Sequence, residues 1–334
     1  MDPGRATLQD AGAKGDTPHI AVTPWEFSPD GMGEGLAAQG ALAEELGFHS
    51  FWLPENHFTG RSSIPAPLLL LAAVAARTER IRLGTTSYLL PIRHPIHAAS
   101  EVAVLDRVSG GRVILGVGRG FQRAMFDTYG VESSRKRELF EAALERMIAA
   151  WQGKPLSPNH DSEVGDDVLL DPLPVQKPHP PIWIAAFGPK AIRQAGRLAL
   201  PYLASPMETL PRLVANYESY REAAEEAGRE VPAHVPVMRT VFVSRNASAL
   251  AQARETLAAQ ARALAKSPTQ SFRRAASENL EDWALVGEPA EVADGIARYR
   301  EALGITHLVA TLRTTGVGAN RTRASLEELS AFAK

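Results

Sequence analysis

The chain contains no cysteine. Disulfides, a thiolate nucleophile and cysteine-ligated metals are thereby excluded. No stretch of about 18 apolar residues occurs, so no membrane-spanning helix is predicted. Charge of one sign is not in excess either: Lys plus Arg number 36, Asp plus Glu 38, and the net charge is −2. That balance leaves no footprint for nucleic acid or for an anionic membrane surface. Residues 1–17 are polar and rich in Gly and Ala, without the apolar core of a signal peptide. They are read as a flexible tail, and a cytoplasmic location is expected. Two catalytic signatures are missing as well. There is no G-x-S-x-G for a serine hydrolase. Gly116 and Gly118 suggest a dinucleotide fingerprint, but the third glycine position is Phe121. His94 and His97 have no carboxylate at zincin spacing, and no metal is assigned.

What the sequence does have is a rhythm. Its 334 residues are 45% hydrophobic and 22% charged, enough for one large α/β domain. Short β-branched or aromatic runs alternate with longer Ala/Leu/Glu/Arg stretches at helical spacing. Strands are predicted over residues 19–23, 49–54, 81–89, 112–116, 181–186, 201–204, 234–243 and 306–311. Helices are predicted over 35–46, 67–77, 97–108, 135–151, 190–198, 210–227, 248–265, 289–303 and 324–332. Gly47 reads as the C′ residue of the first helix. Alternation of this kind calls for a parallel sheet, and eight units fit a closed (β/α)8 TIM barrel filling residues 18–334 as one domain. Residues 153–180 break the rhythm with acidic residues and prolines and read as an insertion, a hairpin being one form. Residues 266–281 are polar and ambiguous.

In such a barrel, function sits at the C-terminal ends of the strands. That selects residues 25–26, 55–57, 87–91, 119–121, 187–188 and 205–207, with Arg239 and Arg313. Glu55, Asn56 and His57 place a carboxylate, an amide and an imidazole at one strand end, a set able to position a ligand and move a proton. A loop histidine capping a helix is the alternative. The glycine-rich run ending at Arg119–Gly120 reads as a place where backbone approaches a ligand. Arg135, Lys136 and Arg137 open a helix. Cations there oppose the helix dipole, which hints at an anionic ligand, against the alternative of a solvated basic face. Residues 185–190 are small and join a strand to a helix start, where backbone N–H groups can hold a phosphate.

Taken together these residues resemble the bacterial-luciferase-like flavin-dependent oxidoreductases. Leu46-Gly47-Phe48, Trp52 and Glu55-Asn56-His57-Phe58 are similar to that family's Gly-Phe-x-x-x-Trp and Glu-His-His-Phe. Thr78 to Thr85, Leu90-Pro91 and His94-Pro95 continue the register, as do Leu105 to Arg112, Gly116, Arg119-Gly120, Phe126 and Tyr129-Gly130. Val286 to Pro289 and Leu303 to His307 resemble the family's penultimate helix and last strand.

The resemblance implies that His57 and Asn56 face the reactive edge of a flavin and are catalytic. It implies a non-prolyl cis peptide at Thr86–Ser87 behind the isoalloxazine ring. Arg119 and Gly120 would lie along the ring and ribityl chain. Arg137 would bind the phosphate, with Ala186, Phe187 and Gly188 closing that site. A substrate would rest against Trp25, Phe58, Tyr88, Phe121 and Met207, an apolar and partly aromatic set suited to an organic molecule with an apolar portion. Three departures matter. Asn56 replaces the first histidine of the family's pair, which argues against light emission. Ser100 stands where many relatives carry an acidic residue. Gly188 and Ala191 replace hydroxyl residues at the phosphate site.

The expected function is therefore a monooxygenase. Reduced FMN, supplied by a separate flavin reductase, would react with O2 through a flavin C4a-(hydro)peroxide to oxygenate a small organic substrate. The alternative is hydride transfer with 8-hydroxy-5-deazaflavin, which Gly188-Pro189 favours and Arg119 disfavours. A catalytically silent flavin-binding subunit is the third possibility. A homodimer or homotetramer is expected from the resemblance.

Overall fold

The computed structural model describes residues 17–156, 168–266, 279–312 and 317–333. Most βα units follow the sequence rhythm. Strands β1 (His19–Val22), β2 (Ser50–Leu53) and β3 (Arg82–Thr85) lead to helices α1 (Met32–Glu45), α2 (Pro67–Ala75) and α3 (Pro95–Val108), with a short strand β4 (Tyr88–Leu89) before α3. Strand β5 (Val113–Gly118) precedes α4 (Arg123–Thr128) and α5 (Lys136–Trp151). Then come β6 (Ile182–Ala186), α6 (Pro189–Leu198), β7 (Tyr202–Ala204), α7 (Leu210–Glu226), β8 (Pro236–Val243) and α8 (Ala247–Ala265). The chain closes with β9 (Ala284–Gly287), α9 (Pro289–Leu303), β10 (His307–Thr311) and α10 (Ala319–Leu329).

The sheet runs β10-β1-β2-β3-β5-β6-β7-β8, and a further β10–β8 pairing closes it. Every pairing is parallel. This is a (β/α)8 barrel, with β4 attached to β5 and β9 to β8. The single strand predicted over 81–89 is two strands, because the Thr86–Ser87 peptide is cis and turns the chain between them. Strand β9 and helix α4 were not predicted: β9 directly follows the polar, ambiguous stretch 266–281, and α4 has only six residues. The closing helix begins at Ala319, earlier than predicted. Residues 157–167, in the insertion, lie outside the described residues, as do the tail through residue 16, most of 266–281, and Arg313.

The barrel interior is side chain, not pore. Ala21, Trp52, Ile114, Trp183, Leu203, Met238 and Val309 form one buried cluster. Each comes from a different barrel strand at an inward position of the two-residue alternation. Trp52 and Trp183 stack at 4.9 Å. The remaining barrel strand, β3, contributes Gly84, where a Cβ would fall 2.2 Å from the Trp52 ring. A second, larger cluster fills the layer between strands and helices.

The easily recognised stretch 105–112 serves this scaffold rather than the site. Asp106 is fully buried and accepts the Gln176 N–H at 2.9 Å and the Gln176 amide at 2.7 Å. Arg112 donates to Thr78 Oγ1 and to the carbonyls of Ile81, Thr78, Ala75 and Ser109. Both lie at the N-terminal end of β5, far from the end where barrels bind ligands. Among the described residues, no helix is long and apolar enough to cross a membrane.

Candidate active site

A cavity of about 630 Å³ opens where the strands end. Its walls include Thr23, Pro54, Thr86, Arg119, Phe187, Ser205 and Thr311, residues that follow β1, β2, β3, β5, β6, β7 and end β10. The size falls within the range of small-molecule and cofactor sites.

One part of the wall is a polar network, buried at His57 and Glu55 and reaching the surface at Tyr129. His57 is 4% exposed, and its Nε2 lies 2.6 Å from Glu55 Oε1. The Glu55 carboxylate is fully enclosed and also receives Arg93 Nη2 at 2.8 Å and the Leu89 N–H at 3.0 Å. Tyr129 Oη stands 3.1 Å from His57 Nδ1. A carboxylate can only accept, so Nε2 carries the proton and Tyr129 donates to Nδ1. Both ring nitrogens are thereby fixed, and the imidazole is held in one tautomer. Asn56 also lines the cavity, but its Oδ1 accepts the Ile64 N–H at 2.6 Å while its own N–H donates to Ile64 O. That side chain ties down the loop carrying His57.

Another part of the wall, past β5 and at the start of α5, is cationic. Arg119 and Lys136 line the cavity, and Arg137 lies close enough to act on Arg119. Burial, then repulsion from Arg137, lowers the Arg119 pKa, with Glu141 opposing. Burial, then repulsion from Arg119, lowers the Lys136 pKa. Among the described residues none of the three forms an ion pair. Arg119 just past β5, with Lys136 and Arg137 at the start of α5, gathers three cations without an ion-pair partner among the described residues, and an anion would relieve their repulsion.

Glycines shape the wall between these two. A Cβ at Gly116 would fall 1.9 Å from Thr85 O, and one at Gly118 would fall 2.0 Å from Ser87 Oγ. These glycines make room for the bulge at Thr85–Ser87. Gly118, Thr86 and Ser87 do face the cavity.

Comparison with known proteins gives the family and the fold. The family model described as luciferase-like monooxygenase matches residues 20–307. The chain belongs to the luciferase-like monooxygenase family. Among its relatives is an alkanal monooxygenase alpha chain from Photorhabdus laumondii, 26% identical over 64% of this chain and 59% of its own length. The oxygenase component of a flavin-dependent trigonelline monooxygenase from Acinetobacter baylyi is 26% identical over 61% of this chain and 57% of its own. The matched regions span between 44% and 65% of these curated relatives' lengths. The monooxygenase RslO1 of Streptomyces bottropensis superposes with a TM-score of 0.77 at 25% identity, over 94% of this chain and 98% of that one. An F420-dependent secondary alcohol dehydrogenase superposes at 0.73 with 20% identity, over 95% and 99%, and shares the fold.

Within the family frame, Thr86, Ser87, Arg119, Gly120, Ala186 and Phe187 gather around the cavity, together with His57, Asn56, Phe121 and Met207. Five expected residues do not line it. Arg137 is exposed, one position beyond Lys136, which takes the wall position instead. Gly188 stands behind the wall as N-cap of α6, with φ 88°. Trp25 turns against Phe51, ring centroids 6.4 Å apart. Phe58, with φ 58°, points outward and is 63% exposed. Tyr88 is 1% exposed beneath the site; its hydroxyl donates to Glu101 at 2.6 Å, and Arg93 lies 4.0 Å over its ring. Burial pushes the Tyr88 phenol well above its ordinary pKa. Arg93 was missed as a site residue, and Lys136, named with its neighbours as a possible anion contact, was passed over when the phosphate role went to Arg137. Arg93 has no local motif, while Lys136 stood beside the arginine favoured by analogy.

Proposed function

We propose that this chain is the oxygenase of a flavin-dependent monooxygenase that takes reduced FMN from a separate reductase and uses O2 on a small, partly apolar organic substrate. The observation that carries the reading is that one cavity holds both a group of cations and a His57–Glu55–Arg93 network, buried at His57 and Glu55 and capped by the exposed Tyr129. Arg119 and Lys136, with Arg137 at longer range, suit the flavin phosphate. Ala186, Phe187 and the Thr86–Ser87 bulge suit its flat ring. Bound reduced flavin supplies the two electrons that activate O2. Among the described residues, His57 is the one histidine on the cavity wall. It can accept a proton at Nδ1 once the Tyr129 hydroxyl turns away, and Glu55 then stabilises the imidazolium. The apolar walls, including Leu89, Met125 and Met207, exclude water from the reacting atoms. The alkanal and trigonelline monooxygenases among the relatives support this reading.

Hydride transfer with 8-hydroxy-5-deazaflavin is the second reading, favoured by the Gly188–Pro189 start of α6. We further propose a homo-oligomer, since Leu69, Val104 and Val108 expose apolar surface on α2 and α3. Anaerobic titration with reduced FMN and with the deazaflavin separates the cofactors. Reduced FMN is expected to bind at micromolar concentration and to be reoxidised on mixing with O2. Tight binding of the deazaflavin alone would overturn the FMN assignment.

A further inference from the structure

The end of the barrel opposite the cavity carries a second cluster of chemistry-bearing side chains. His19 opens β1 and His307 opens β10, and the two are direct register partners. His49 immediately precedes β2, and its N–H donates to Ile20 O at 2.9 Å. The ring centroids of His19 lie 4.4 Å from His49 and 5.0 Å from His307, and His49 lies 5.1 Å from His307. One ring nitrogen from each lies within 4.8 Å of the other two. We infer that His19, His49 and His307 form a binding site for a borderline divalent transition metal, of which Zn²⁺ is the type.

The surroundings orient the ligands. His49 Nδ1 is 3.1 Å from Ser50 Oγ, and His307 Nδ1 is 2.9 Å from Thr306 Oγ1. Each hydroxyl already accepts one N–H, from the Trp52 indole at 2.7 Å and from Val235 at 2.8 Å. A second lone pair remains on each to accept Nδ1–H, which leaves Nε2 as the ligand atom. Metal-binding histidines are held by second partners in this manner.

The donor set selects the ion. It is nitrogen only, without carboxylate or thiolate, which suits Zn²⁺, Co²⁺, Ni²⁺ or Cu²⁺ and not Mg²⁺ or Ca²⁺. Tetrahedral zinc holds imidazole nitrogens about 3.3 Å apart. Binding would require the His19 and His49 rings, stacked at 25°, to rotate until the nitrogens converge from their present spread of up to 4.8 Å. A water molecule would complete four-coordination. His234, with its ring 5.5 Å from His307, flanks the set. His19 and His49 are partly buried and His307 is buried. The ion would clasp three adjacent strands across the seam where β10 returns to β1. At this end of a barrel the consequence is stability rather than catalysis.

The test uses the untagged full chain, stripped with a chelator and titrated with ZnCl₂ by calorimetry and thermal denaturation. One Zn²⁺ per chain is expected. Tm should rise by about 5 °C at a hundredfold excess over Kd. Co²⁺ substitution should give the intense visible bands of a tetrahedral site. His49→Gln and His19→Gln, at half-buried positions, should each remove the Tm rise and the Co²⁺ bands, while His57→Gln should retain both. Absence of stoichiometric binding by the wild-type chain, or its survival in the H19Q/H49Q double variant, overturns the assignment.

Discussion

Replacing Glu55 by glutamine tests the wall that holds His57. The substitution keeps the shape and removes one negative charge from a fully enclosed position facing Arg93 at 2.8 Å and His57 at 2.6 Å. Removing one partner of a buried ion pair costs about 3–5 kcal/mol. Two features reduce that. Arg93 keeps 18% of its side chain in solvent, and the glutamine oxygen can still accept the Leu89 N–H. A loss of about 2 kcal/mol follows, which lowers Tm by about 4 °C in a domain of this size. The chemical effect is separable. Glutamine cannot stabilise an imidazolium as a carboxylate does, so the rate at which bound reduced flavin is reoxidised by O2 should change by about 10-fold or more. Since Glu55 acts through His57, E55Q should have no further effect on that rate in an H57Q background. Stopped-flow reoxidation and differential scanning fluorimetry on the four proteins of the cycle measure both quantities. Additive rate effects would refute the relay. An unchanged Tm would refute the ion pair's contribution to stability.

The cation wall gives a second expectation. R119A and K136A should each weaken reduced-FMN binding about 10-fold, roughly 1.4 kcal/mol, with riboflavin binding unchanged. Tm of the flavin-free chain should hold or rise, because one repulsive partner is gone; a fall would contradict the repulsion seen at Arg119 and Lys136. R137A should weaken FMN binding less, since its exposed charge is screened. Gly116→Ala should cost about 3 kcal/mol because its Cβ meets backbone at Thr85 O. Gly118→Ala should cost less, as the Ser87 side chain it meets can rotate; equal Tm losses by calorimetry would contradict this. Burial raises the Glu44 pKa, but the backbone N–H groups of Ile81, Arg80 and Glu79 outweigh it and hold the carboxyl below its ordinary 4.5. A depressed folded-state pKa stabilises above the unfolded value and is lost as pH falls through the folded one. E44Q should therefore be less stable than wild type at neutral pH, by about 1–2 kcal/mol. The difference should shrink below about pH 4.5, and denaturant melts across that range would reveal its absence.

Much of the fold was legible in the sequence for a simple reason. A βα unit writes its period locally, so residues 19–151 and 181–311 announce their strands and helices without reference to one another. The six-residue helix Arg123–Thr128 is too short to show a helical period, and Ala284–Gly287 was lost behind the polar stretch that precedes it. Strand ends were equally legible. Glu55, His57, Arg119 and Phe187 each follow an apolar run directly, and that position alone puts them at the ligand-binding mouth.

Which way a side chain turns there was not written locally. Tyr88 and Lys136 show it. Tyr88 follows β3 as a pocket aromatic should, yet Glu101 on α3 and the Arg93 guanidinium draw it beneath the floor. Lys136 and Arg137 are adjacent on one helix, and only the docking of α5 decides which faces the cavity. Closure decided the rest. His307 is separated from His19 and His49 by most of the chain, and the three share no motif spacing. They meet because β10 pairs with β1, and β1 with β2. The sequence by itself determined the units of this protein and the end of the barrel that binds. The tertiary structure alone decided which residues stand together at either end, because contact across a closed sheet depends on register and packing that no local pattern encodes.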